Sequence, residues 1–270
     1  MSIKISKKIV VMALMVVIAL TMFGCNSSKE DDVLKVGMEL KWPNFESTDE
    51  KGNPEGISVM IAEELGEYLG KEVEIVDLPF GSLIPALETE KIDVIIASMG
   101  ITESRKEKIS FSDPYMYFKI LSVVNKNSDV KEFDDIFSLE GVRFVAPKSF
   151  SSLEIAKEKA NNPSILEFDD KATATLELVS GNADIFMLDA ASAVSIGRNY
   201  PDDLMVIYEP VDVSPIGMGV RKNETELLEK LNEFISNRDE LGINERIASQ
   251  YDETLSEIVG KGFEFYLYEN

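Results

Sequence analysis

The sequence predicts an α/β protein of two lobes, each a mixed, mainly parallel sheet flanked by helices, the lobes joined by two extended crossings that make a hinge. Three observations predict it. From Leu34 onward, short apolar runs alternate with amphipathic stretches, as repeated β-α units require. Residues 92–96, Ile-Asp-Val-Ile-Ile, form the near-continuous apolar run of a strand buried on both faces of a parallel sheet. The charged amphipathic segments after residue 224 have no sheet of their own, so the chain is expected to return and pack them on the first lobe.

Taken in order, residues 34–38 read as a strand, residues 49–53 (Asp-Glu-Lys-Gly-Asn) as a turn, and Ile57, Ile61, Leu65, Tyr68 and Leu69 as a helical stripe ending at Gly70. Residues 73–78 are the next strand, 82–87 a short helix and 92–96 the buried strand. A second series follows, with strands at 120–124, 143–146, 165–168, 185–188 and 204–208 and helices beginning at Ser152, after Lys171 and after Ala190. Residues 216–220 are apolar again, amphipathic helices run from about 224 to 259, and the alternation Phe-Glu-Phe-Tyr-Leu at 263–267 reads as a final strand. This places lobe 1 at residues 33–117 with 213–270, lobe 2 at 118–212, and the crossings near 115–121 and 208–215. A single doubly wound domain with a helical appendage is the other arrangement of the same pattern.

Residues 1–24 read as an export signal: Lys4, Lys7 and Lys8 precede a 15-residue apolar run, 9–23, and Gly24 then precedes the single cysteine, Cys25. The run is short for a spanning helix, and a polar tail, Asn26-Ser27-Ser28-Lys29-Glu30, follows at once. Residues 25–32 are then a tether. Loss of the signal removes three lysines and takes the net charge from −22 to −25. That acidic excess argues against a nucleic-acid partner, whose phosphates need clustered Lys and Arg. The chain has no histidine, which excludes Ser-His-Asp and Cys-His catalysis and imidazole metal ligands. No acidic loop of calcium-binding spacing is present, and neither metal nor cofactor is expected.

Ser98-Met99-Gly100-Ile101-Thr102-Glu103-Ser104-Arg105 follows the buried strand directly, at the carboxyl edge where open α/β sheets bind ligands. Thr102 is placed to N-cap a helix with Arg105 in its first turn, where a cation opposes the helix dipole unless an anion is near. Glu103 can offset that charge; alternatively, Arg105 and the free N–H groups converge on a carboxylate. Asp189 ends the strand at 185–188, either as the N-cap of the next helix or as a carboxylate offered to a ligand. Together, Arg105 on one lobe and Asp189 on the other suit a zwitterion.

Val36-Gly37, Trp42-Pro43-Asn44-Phe45, Gly52 and Gly56, Leu83-Ile84-Pro85-Ala86-Leu87, Lys91-Ile92-Asp93, Ile101 to Arg105 and Phe111-Ser112-Asp113-Pro114-Tyr115 stand in one register. Gly181-Asn182-Ala183-Asp184 with Asp189, then Val220-Arg221-Lys222, continue it. In this order they resemble the polar amino-acid class of extracellular solute-binding proteins of ABC importers, with a periplasmic-binding-protein type II fold. Gly24-Cys25 likewise resembles a lipoprotein cleavage site, which implies a lipid on Cys25 and a monomer tethered at the outer face of a membrane. The resemblance implies that Arg105 grips the ligand's α-carboxylate with the Gly100 N–H and the loop Ser149-Phe150-Ser151. It implies that Asp189 takes the ammonium with the Ser98 carbonyl, that Trp42 and Phe80 sandwich the ligand, and that Glu39 reads its distal group. Glu39 and the acidic surface then favour a polar or cationic amino acid. Two positions depart from the family pattern: Gly100 stands where a hydroxyl residue is common, and Phe150 stands where threonine is, so that its ring either intrudes on the pocket or packs beneath it. A sensor module and a cyclohexadienyl-dehydratase-like enzyme are the other roles the fold implies.

Overall fold

Alternation of buried and half-buried residues along β1 (Val33–Met38) puts Leu34, Val36 and Met38 into the core of the first lobe. The computed structural model describes residues 32–148 and 150–267; the leader, Cys25 and Ser149 lie outside them. β1 sits beside β4 (Glu72–Asp77) and pairs in parallel with β5 (Val94–Ile95), Val36 opposite Val94 and Gly37 opposite Ile95. Gly37 lets Ile92 pack close, since a Cβ there would fall 2.3 Å from Ile92 Cδ1 and that side chain would have to shift. A two-stranded ribbon, β2 (Ser47–Thr48) and β3 (Pro54–Glu55), leads into α1 (Ile57–Leu69), whose stripe Ile57, Ile61 and Leu65 is fully buried. Gly70 ends α1 at φ 67°, its N–H turned back onto the Gly66 and Glu67 carbonyls. A short α2 (Leu83–Glu88) precedes β5.

The chain returns to this sheet after the second series of strands: β12 (Gly219–Val220) pairs antiparallel with both β5 and β6 (Ser110–Phe111). Arg221 then ties three motifs together. Its Nη1 donates to the Leu87 and Ile92 carbonyls, and its Nη2 lies 3.3 Å from Glu224 and 3.7 Å from Asp93. Of the final helices, α8 (Thr225–Asn237) buries Leu231 and Phe234 in the first lobe. α9 (Ile243–Val259) holds α1 through a forked Arg246–Glu64 pair at 2.6 and 2.7 Å. The same helix also packs on α7 (Ala190–Asn199) of the second lobe, where Arg198 donates to the Glu257 carbonyl.

The second sheet is ordered β11-β7-β10-β8-β9. β8 (Arg143–Pro147) is parallel to β9 (Ser164–Phe168) and β10 (Ile185–Asp189), while β7 (Met116–Asn125) is antiparallel to β10 and β11 (Leu204–Ile216). Along β10, Phe186 and Leu188 enter one core and Ile185 and Met187 the other, which is why the run lacks polar residues. α5 (Ser152–Lys159), α6 (Lys171–Val179) and α7 flank it, and a one-turn α4 (Asp135–Ser138) precedes β8.

β7 and β11 are also the two crossings. Met116–Ile120 face Ile216–Asp212, and the ladder resumes at Ile207 opposite Ser122 after a register shift. Pro210, which has no N–H to contribute, falls in the skipped stretch. The final segment departs from expectation: Phe263–Tyr266 is a 3-10 helix, not a strand. Its buried residues, Phe263 and Tyr266, are three apart and share one face at three residues per turn. Tyr266 meets Phe45 and Phe118 edge-on.

Candidate functional site

Beyond β5 the chain turns at Ser98, which has φ 48°, a left-handed conformation that L side chains rarely adopt. Its hydroxyl donates to Glu46 Oε2 at 2.9 Å, which holds the turn. Gly100 is then bridged to Ile216 of β11 through Ile101 N–H to the Pro215 carbonyl and Gly217 N–H to the Met99 carbonyl, bonds that do not use the Gly100 N–H. A Cβ on Gly100 would lie 2.8 Å from Ser214 Oγ and 3.4 Å from Arg105 Nη1 and Ser151 Oγ. Ser214 on the crossing strand thus sets its hydroxyl against the space that a side chain at position 100 would enter.

Thr102 caps α3 (Glu103–Lys106), its Oγ1 accepting from the Arg105 N–H at 3.4 Å. Glu103 pairs with Lys106 at 2.8 Å. Arg105 is 8% exposed, its Nη1 donates to the Gly100 carbonyl at 2.5 Å, and its guanidinium lies 5.3 Å from the centre of the Phe80 ring. Burial pulls its pKa down to about 10 against the opposing attraction of Glu154, so it stays cationic at neutral pH.

On the facing lobe, β10 ends at Asp189, 2% exposed, whose Oδ1 caps α7 by accepting from Ser192 N–H at 3.0 Å. The cap uses only one oxygen; the other, Oδ2, is buried with no hydrogen-bond partner among the described residues. Burial pushes the carboxyl pKa up, while Lys171 pulls it back. An unmatched buried carboxylate oxygen costs about 1–3 kcal/mol or more, a cost that a cationic donor removes.

These groups line one cavity. Trp42, Phe80, Ser98, Gly100 and Arg105 come to it from the first lobe and Phe150, Ser151 and Asp189 from the second, with Ser214 and Ile216 from a crossing. Two predicted residues are elsewhere. Thr102 acts as the cap and does not line the cavity. Glu39 lines an adjoining cavity with Lys41, Asp170 and Lys171.

Sequence reasoning missed Glu46, Lys171 and Ser214. Glu46 is 2% exposed and accepts from Ser58 Oγ at 2.7 Å as well as from Ser98; burial raises its pKa to about 8, leaving it mostly protonated at neutral pH. Lys171 sets its ammonium 4.1 Å from the centre of the Trp42 ring, and burial lowers its pKa against the pull of Asp189, Glu46 and Glu39. Nothing local in the sequence marks these three, since each reaches the site only through the fold. Among the described residues no cluster of three or more His, Cys, Asp or Glu could hold a metal, and no helix is long and apolar enough to cross a membrane.

A buried cation on one lobe and an open carboxylate oxygen on the other, with a two-stranded hinge behind them, define a two-lobed binding protein that can close on a ligand. The chain belongs to the bacterial extracellular solute-binding proteins, family 3, whose model matches residues 34–254. Over 228 residues it is 26% identical to the L-cystine-binding protein of Escherichia coli (strain K12), covering 84% of this chain and 85% of that one. It is 30% identical over 187 residues to the ABC transporter glutamine-binding protein of Bacillus subtilis (strain 168), covering 67% and 66%. Among solved structures, an ancestral arginine-binding protein bound to arginine superimposes with a TM-score of 0.72 at 33% identity, covering 81% of this chain and 97% of that one.

Proposed function

We propose that this protein is the extracytoplasmic receptor of an ABC importer, tethered by lipid on Cys25, and that it captures a free α-amino acid by closing its two lobes. The observation that carries this reading is the pairing of Arg105 with Asp189 Oδ2 across one cavity. Arg105 and the Gly100 N–H take the α-carboxylate; Asp189 and the Ser98 carbonyl take the ammonium, with Ser214 supplying the hydroxyl that position 100 lacks. Because the two charges sit on opposite lobes, a ligand satisfies both only in the shut state, and its differential affinity for that state drives closure. The permease then reads the closed shape.

Reversible binding without chemistry is the reading the geometry favours. A dehydratase needs a proton donor at the reacting atoms. Glu46, its pKa raised to about 8, stands behind Ser98 and does not line the cavity, and Asp189, which does line it and whose pKa burial also raises, has its Oδ1 committed to capping α7.

The test is thermal unfolding of the mature chain against the twenty amino acids, with ornithine, cystine and a dipeptide added. A ligand at 100 times its Kd stabilises the native state by about 2.7 kcal/mol. A selective upward shift with a group of amino acids is the expected result; no shift with any of them overturns the receptor reading.

A further inference from the structure

The cleft holds two cavities, and the same three rings wall both: Trp42, Phe80 and Phe150. The Phe150 ring centre lies 5.6 Å from that of Trp42 and 5.8 Å from that of Phe80. Those are direct ring contacts, so no side chain fits between Phe150 and either partner. Trp42 and Phe80 belong to one lobe and Phe150 to the other, so the contacts span the width of the cleft. The charges divide accordingly. Arg105 and Asp189 are on one side with the hydroxyl groups of Ser98, Ser151 and Ser214, and Glu39 and Lys171 are on the other. The first-lobe half of the partition is braced, Phe80 by the Arg105 guanidinium at 5.3 Å and Trp42 by the Lys171 ammonium at 4.1 Å.

We propose that Phe150 is the specificity-determining residue of this site, closing off the far cavity so that the ligand is a small α-amino acid of the glycine, alanine or serine class. This rests on the receptor reading above and narrows it. For a ligand held by Arg105 and Asp189, the aromatic wall stands between its side chain and the far cavity. A short side chain stays on the near side of that wall, and Glu39 and Lys171 line the cavity beyond it. A long cationic or amide side chain has to displace Phe150 and then lie between a carboxylate and an ammonium that already attract each other.

The experiment is calorimetric titration of the mature protein with glycine, L-alanine and L-serine against L-glutamine, L-lysine and L-arginine, repeated on Phe150→Ala and, as a milder change, Phe150→Thr. The wild type is expected to bind at least one of the small set at least tenfold more tightly than any of the long set. Either variant is expected to move that ratio at least tenfold toward the long set. Amino-acid binding with the long set preferred by the wild type overturns the size inference and leaves the receptor reading standing. Wild-type preference for the small set that neither folded variant alters overturns the assignment to Phe150. No binding of any amino acid to the wild type overturns the receptor reading and this inference with it.

Discussion

Arg105 has lost most of its water, and its guanidinium is held by the Gly100 carbonyl and the Phe80 face at a cavity wall. Arg105→Ala is expected to weaken amino-acid binding by at least about 2 kcal/mol, the scale of a buried charge-assisted contact, as read by calorimetry. Unchanged affinity would refute the clamp. Asp189 separates binding from folding, because asparagine can still cap α7 through its side-chain oxygen. Asp189→Asn should therefore leave the melting temperature of the free protein level or higher, since a buried carboxylate is removed, while affinity drops at least about tenfold. A variant that instead melts well below the wild type would show that the cap needs the charge. Glu46 gives a pH signature. Its folded pKa, raised by burial to about 8, exceeds the ordinary value of 4.5, so the native state holds a proton that the unfolded chain has released. That contribution is fully present below pH 4.5 and is lost as pH rises through 8. Glu46→Gln is expected to flatten the fall in stability across that window and to melt higher than the wild type at pH 9; parallel curves for the two proteins would sink the assignment.

At the scale of elements, the family motifs divide into those that touch the cavity and those that bolt the frame. Asp184 of the Gly181 to Asp184 motif accepts from the Arg143 backbone N–H at 2.8 Å and from its Nε at 3.0 Å, stitching β8 to the start of β10. Asp184→Ala is expected to cost about 1–3 kcal/mol in chemical denaturation, since it strands the Arg143 N–H, with ligand affinity of the folded protein unchanged. Arg221 does the same for the first lobe. The elements themselves were legible because each carries its own period: the stripe of α1 and the unbroken run of β10 are written in neighbouring residues. The terminal 3-10 helix was not, because Phe263-Glu264-Phe265-Tyr266-Leu267 fits a two-residue and a three-residue repeat equally, and only packing of Tyr266 on Phe45 and Phe118 decides between them. The site was half legible for a related reason. Asp189 ends a strand and Arg105 lies in the short helix that follows one, at edges that the topology makes ligand-facing, whereas Glu46 meets Ser98 from 52 residues away. Phe150 drew attention in the sequence only as a departure from a pattern; the side of the pocket it would take was a matter of tertiary contact.

For the whole molecule, the acidic excess sets the conditions of encounter more than the choice of ligand. Long-range attraction of a cation by the net charge fades with added salt, but a neutral zwitterion carries no net charge to steer. Association of the preferred amino acid is expected to change less than about threefold between 20 mM and 500 mM salt in stopped-flow fluorescence of Trp42, the single tryptophan, which lines the cavity. A steep decline would point to a cationic ligand.

The two crossings pair with each other, Met116 to Ile120 against Ile216 to Asp212, where the chain passes between the lobes. A ribbon of two strands can bend across its face while every rung stays intact, so opening and closing need no backbone bond to break there. Amide hydrogen exchange should show it. Residues 116–120 and 212–216 are expected to exchange slowly, and at the same rate, with and without bound amino acid, while the segment 98–105 slows on binding. Ligand-dependent protection along the ribbon would mean that the lobes move by local melting, and capture would then be limited by how often those rungs come undone.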